Sequence, residues 1–68
     1  MNEGEIRQAA KMYALIAEME AIKARIEGMK VENELRLSQG FSRAFNSTYF
    51  FKADVELMKI ADRLRKEI

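Results

Sequence analysis

The chain has no cysteine, histidine, proline or tryptophan among its 68 residues, and only three glycines. Each absence removes a class of chemistry or structure. Without Cys or His there is no disulfide framework, no His- or Cys-held zinc, haem or iron-sulfur centre, no thiol nucleophile and no Ser-His-Asp triad. Without Pro, nothing breaks a long helix from inside. Glycines at 4, 28 and 40 lie too far apart to form a phosphate-cradling loop or a dinucleotide fingerprint. An excess of one charge is also missing. Twelve Lys+Arg stand against 11 Asp+Glu for a formal +1, which disfavours a general polyanion binder while leaving room for a local basic patch. The apolar run around Tyr13 to Ala17 is far short of the about 20 residues a bilayer span requires. The opening Met1-Asn2-Glu3-Gly4-Glu5 lacks the basic start of a secretory signal, so a cytoplasmic protein without a membrane partner is expected.

The carboxylates extend these exclusions. Helical metal and pyrophosphate sites need acids three or four residues apart on one face. Here the nearest acidic pairs, Glu3/Glu5, Glu18/Glu20, Glu32/Glu34 and Asp54/Glu56, are two apart and point to different faces. Ser38, Ser42 and Ser47 have no His to activate them. The expectation is therefore a non-enzyme with no catalytic residue, no metal ligand and no cofactor.

What is present is helix. From Glu3 to about Gln39 the residues are mostly strong helix formers, with Ala at 9, 10, 14, 17, 21 and 24. Asn2 is placed to cap that helix and Glu5 to close a capping box. Gly28 costs about 1 kcal/mol relative to Ala in a helix interior, and a close helix–helix approach explains it better than a break. Gly40 predicts a Schellman-type stop, with Phe41 packing back on Leu35 or Leu37. The turn-formers of residues 40–48 predict a connector, with one short helical turn over Ser42 to Phe45. Ser47 or Thr48 then caps a second helix over about 49–66, with Leu57, Ala61, Leu64 and Ile68 along one side. The expected fold class is all-α: one domain over 1–68, a hairpin of one long and one shorter antiparallel helix, assembling into a homo-oligomeric helical bundle.

The expectation of assembly comes from a series with spacings of three and four: Met12, Leu15, Met19, Ile22, Ile26 and Met29, then Asn33. A neighbouring stripe of Ile6, Ala9, Ala10, Tyr13, Ile16 and Ala17 widens the apolar face. At 1.5 Å per residue the helices are about 55 and about 30 Å long, so a second helix starting level with Gly40 leaves roughly the first 18 residues uncovered. Chains below about 70 residues also rarely bury enough apolar surface alone. Met12, Tyr13, Leu15, Ile16, Met19, Ile22, Ile26 and Met29 are accordingly the expected oligomer interface, most simply of a homodimer. Asn33 reads as a solvated residue near the helix end, with a buried register-setting amide as the alternative.

Five of six aromatic residues, Phe41, Phe45, Tyr49, Phe50 and Phe51, fall within eleven positions and are interleaved with Arg43 and Lys52. The expected role is a plug of three or four Phe at the closed end of the hairpin, with Arg43, Tyr49 and Lys52 as its exposed rim. Aromatic faces beside cations also suit a nucleotide or a single nucleic-acid strand. Arg7, Lys11 and Tyr13 are a second candidate set, for an anion held between subunits. Residues 1–35 carry five basic and seven acidic side chains, and residues 36–68 carry seven and four, so the second half offers positive charge to an acidic partner.

The function expected from these features is protein binding by a homo-oligomeric hairpin, as adaptor or inhibitor of an unidentified protein target. The alternatives are sequestration of an anionic nucleotide at a subunit interface and, third, nucleic-acid binding. Compact proline-free helical chains of this kind are similar in size and style, though not in any motif, to small accessory proteins of phages and mobile elements.

Overall fold

A computed structural model describes residues 2–67 and shows two antiparallel helices, α1 (Glu3–Ser38) and α2 (Ser47–Glu67), in a molecule 58 × 17 × 10 Å. Both ends of α1 follow from local sequence. The Asn2 side chain accepts from the Glu5 amide at 2.8 Å, and the Glu5 carboxylate accepts from the Asn2 amide at 3.3 Å, which completes the capping box. At the other end Gly40 takes φ +83°, where a Cβ would be strained. The Phe41 amide donates to the Arg36 carbonyl at 2.8 Å and the Gly40 amide to the Leu37 carbonyl at 3.1 Å, the two bonds of a Schellman motif. Phe41 does not pack back on Leu35 or Leu37 as a buried staple. Its ring stays largely exposed beneath the Arg36 guanidinium, 5.7 Å from the ring centroid.

Two expectations for the connector are corrected. Residues 41–46 form no helical turn, because Phe45 is held by a side chain of α1 rather than by its neighbours. The cap of α2 is Asn46, whose Oδ1 accepts from the Thr48 amide at 3.0 Å, so Ser47 and Thr48 lie inside the helix. Ile68, expected on the apolar side of α2, is outside the described residues.

The two helices meet along a seam with seven-residue periodicity. Leu15, Ile22 and Met29 are buried from α1, and Ala53 and Ile60 from α2. Met19, Ile26, Phe45, Phe50, Leu57 and Leu64 pack around them. Register is marked by ion pairs that recur at the same interval, Arg25 to Glu56 at 2.5 Å and Glu18 to Arg63 at 3.7 Å. Within α1, Glu3 and Arg7 pair at 3.0 Å. Lys30 meets Glu27, and Asp62 meets Arg65, each at a spacing of three residues.

The connector alters how far α2 reaches. It doubles back along α1 before α2 starts, so that Phe45 sits beside Asn33 rather than beyond Gly40. As a result α2 extends down to the level of Gln8, whose side-chain amide donates to the Glu67 carbonyl. The uncovered part of α1 is its first two turns, not its first 18 residues. Asn33 is likewise not solvated: it is 8% exposed and hydrogen-bonded on both sides of its amide.

Candidate protein-interaction surfaces

Sequence spacing selected residues for an interface, and the hairpin divides them into two groups. Leu15, Ile22 and Met29 are buried against α2, Met19 and Ile26 pack on the same cluster, and Met12 is half-buried. The seam read as intermolecular is thus occupied within the chain by α2, since α2 starts early enough to cover it. Tyr13 and Ile16 lie outside the seam and are exposed, Tyr13 at 72%.

The ligand candidates do not converge within one hairpin. Arg7 pairs with Glu3 in solvent. Lys11 enters an open groove between the helices, together with Glu18, Arg63, Lys66 and Glu67. Tyr13 is two residues from Lys11 and so points across the helix from it. At the closed end Arg43 lines a depression with Asn33, Ser42 and Asn46. Tyr49 and Lys52 line a separate one with Arg25 and Glu56. Phe45 borders both, and its ring meets that of Tyr49 edge-on at 5.4 Å between centroids. The plug is smaller than expected: Phe45 and Phe50 pack on the core, whereas Phe41 and Phe51 stay exposed. Among the described residues no three acidic side chains gather closely enough to hold a metal ion, and no helix is long and apolar enough to cross a membrane.

Two outer faces stand out once the seam is removed. On α2, Phe51, Val55 and Met58 fall at i, i+4 and i+7, directed away from Ala53 and Ile60. Phe51 is 67% exposed and Met58 65%. In the sequence this patch is masked because Phe51 falls within the aromatic cluster of residues 41–51. Its signal was present as helical spacing on the side opposite Leu57 and Leu64. On α1, the face turned from α2 runs through Ile6, Ala10, Tyr13, Ala17, Ala21, Ala24, Gly28, Val31 and Leu35, all exposed and none charged. Of these nine, Ile6, Ala10, Tyr13 and Ala17 belong to the apolar stripe evident in the sequence. No family model, curated protein or solved structure matches the chain.

Proposed function

We propose that this chain is a non-enzymatic helical hairpin that self-associates and works by binding another protein, as an adaptor or inhibitor of the kind small mobile-element accessory proteins provide. One observation carries the protein-binding part: Phe51 and Met58, with Val55 between them, form an apolar patch in water on the side of α2 that the hairpin does not use. A chain this short has few apolar side chains to spare from its core, and an exposed cluster of them is the usual mark of a protein contact. An α-helical face with i, i+4, i+7 anchors fits a groove or a second helix on the target. The sequence supports the non-enzymatic reading, because it has neither His nor Cys and no carboxylates at helical pairing distance.

The test is recovery of the chain from its native host with bound partners retained, beside a Phe51→Ser/Met58→Ser variant. The wild type is expected to retain a protein partner in fixed proportion, and the variant to lose it while keeping its helical circular dichroism. A partner held equally by both would assign binding to another face, and no partner at all would remove the reading.

A further inference from the structure

The uncharged outer stripe of α1 has a property that a single hairpin does not use. Its residues are arranged so that the sequence of sizes read in one direction complements that read in the other. When a second α1 is laid antiparallel with the midpoint between Glu20 and Ala21 as the shared centre, Ile6 falls opposite Leu35, Ala10 opposite Val31, Tyr13 opposite Gly28 and Ala17 opposite Ala24. The largest side chain of the stripe meets the residue with none. Ala17, Ala21 and Ala24 keep the centre small, where two helix axes come closest, and Glu20 stands opposite the partner's Ala21 at its edge.

Gly28 gives this pairing its independent support. It lies deep within α1, where Gly is unfavourable, and a Cβ built on it meets nothing within 4 Å. Packing inside the hairpin therefore supplies no reason for glycine at this position. Tyr13 is in the complementary situation, a large amphipathic ring left 72% exposed with no neighbour to cover it.

Charges beside the stripe are compatible with the same alignment: the two Glu20 side chains flank the axis one residue apart, and each already pairs with Lys23 of its own chain. Lys23 comes within a turn of the partner's Glu20 on one flank, and Arg7 within a turn of the partner's Glu32 on the other. Twofold symmetry repeats each of these pairs. A parallel arrangement would instead set Tyr13 against the partner's Tyr13 and Gly28 against the partner's Gly28. Residues 6–35 span about 45 Å of helix, and a strip about 12 Å wide on each copy removes about 1,000 Å² from water in total, the size at which specific interfaces begin.

We propose that the outer face of α1 is a self-complementary antiparallel dimer interface in which Tyr13 of each chain seats over the partner's Gly28. This rests on the self-association reading above and specifies its partner, face and direction. The contact is isologous, as a twofold dimer requires. It also uses a different helix from the patch of Phe51 and Met58, so both surfaces remain usable at once.

The experiment uses the full chain in analytical sedimentation and relies on its lack of native cysteine. Wild type is expected to sediment as a dimer at micromolar concentration. Gly28→Leu is expected to raise the dimer dissociation constant at least about tenfold, since added volume in a packed contact cannot be accommodated. Its helical content should not fall, because position 28 is open within the hairpin and Leu favours helix more than Gly. Under mild oxidation Ala21→Cys, next to the twofold axis, is expected to form a disulfide dimer. Ala10→Cys alone should not, whereas an equal mixture of Ala10→Cys and Val31→Cys should. A monomeric wild type, a dimer indifferent to Gly28→Leu, or self-crosslinking by Ala10→Cys overturns the proposal. Retention of a partner protein by a monomeric chain would overturn only this interface and leave the protein-binding reading standing.

Discussion

Asn33 holds both backbone polar groups of Phe45: its Nδ2 donates to the Phe45 carbonyl at 2.8 Å, and its Oδ1 accepts from the Phe45 amide at 2.9 Å. One side chain thereby takes the place that helical or strand hydrogen bonds would otherwise fill. This clamp sets where the connector turns and, through it, where α2 begins. Asn33→Ala leaves both Phe45 groups without that partner and is expected to cost about 2 kcal/mol or more of stability. Asn33→Asp removes only the donor and places a carboxylate at a buried position, so it should not rescue. Urea denaturation followed by circular dichroism measures both changes.

Gly28 and Gly40 respond in opposite directions to the same substitution. Gly40 has φ +83°, so Gly40→Ala is expected to destabilise the hairpin by about 1 kcal/mol. Gly28 is helical with open space beside it, so Gly28→Ala is expected to stabilise the dissociated hairpin by up to about 1 kcal/mol. Thermal melts in dilute solution show the two signs directly.

Ile22 sits mid-seam at 7% exposure, whereas Phe51 projects into solvent. Ile22→Ala is expected to lose about 2–4 kcal/mol through the removed methyl groups and the cavity left behind. Phe51→Ala should change stability by no more than about 0.5 kcal/mol while weakening partner binding. Equal losses of stability from the two would show that Phe51 serves the fold.

The ion pair of Arg25 with Glu56 bridges the helices at 2.5 Å with both side chains about half exposed. Glu56→Gln is expected to reduce stability by less than about 1 kcal/mol at low salt. The difference from wild type should vanish near 1 M salt, where screening acts over about 3 Å. A difference that persisted there would indicate packing rather than charge.

Arg43 and the pair Tyr49/Lys52 border different depressions on either side of Phe45. A nucleotide therefore has no single pocket in the hairpin that gathers all three, and thermal-shift screening is expected to show no stabilisation by nucleotides. A ligand at about 100 times its dissociation constant would add about 2.7 kcal/mol, well within detection. Such a shift, lost on Tyr49→Ala, would replace protein binding with nucleotide sequestration as the leading function.

Local chemistry made much of the fold legible in advance. The capping box of Asn2 and Glu5, the Schellman ending at Gly40 and the continuous helix between them involve residues within five positions of one another, and each has its own residue signature. The periodicity of Leu15, Ile22 and Met29 likewise showed that one face must be covered. It did not show by what, because a seam looks the same in sequence whether its partner is another chain or the next helix. That was decided by the path of the connector. Its return to Asn33 is a contact over twelve positions with no local pattern, and it moved α2 far enough to cover most of α1. Only after that seam was assigned did the remaining faces become defined: the stripe through Tyr13 and Gly28, and the patch of Phe51 and Met58. The missing cysteine, histidine and proline limited the chemistry and kept α1 unbroken. Which apolar side chains were left over to meet other molecules was a matter of tertiary register, because exposure is what remains after packing.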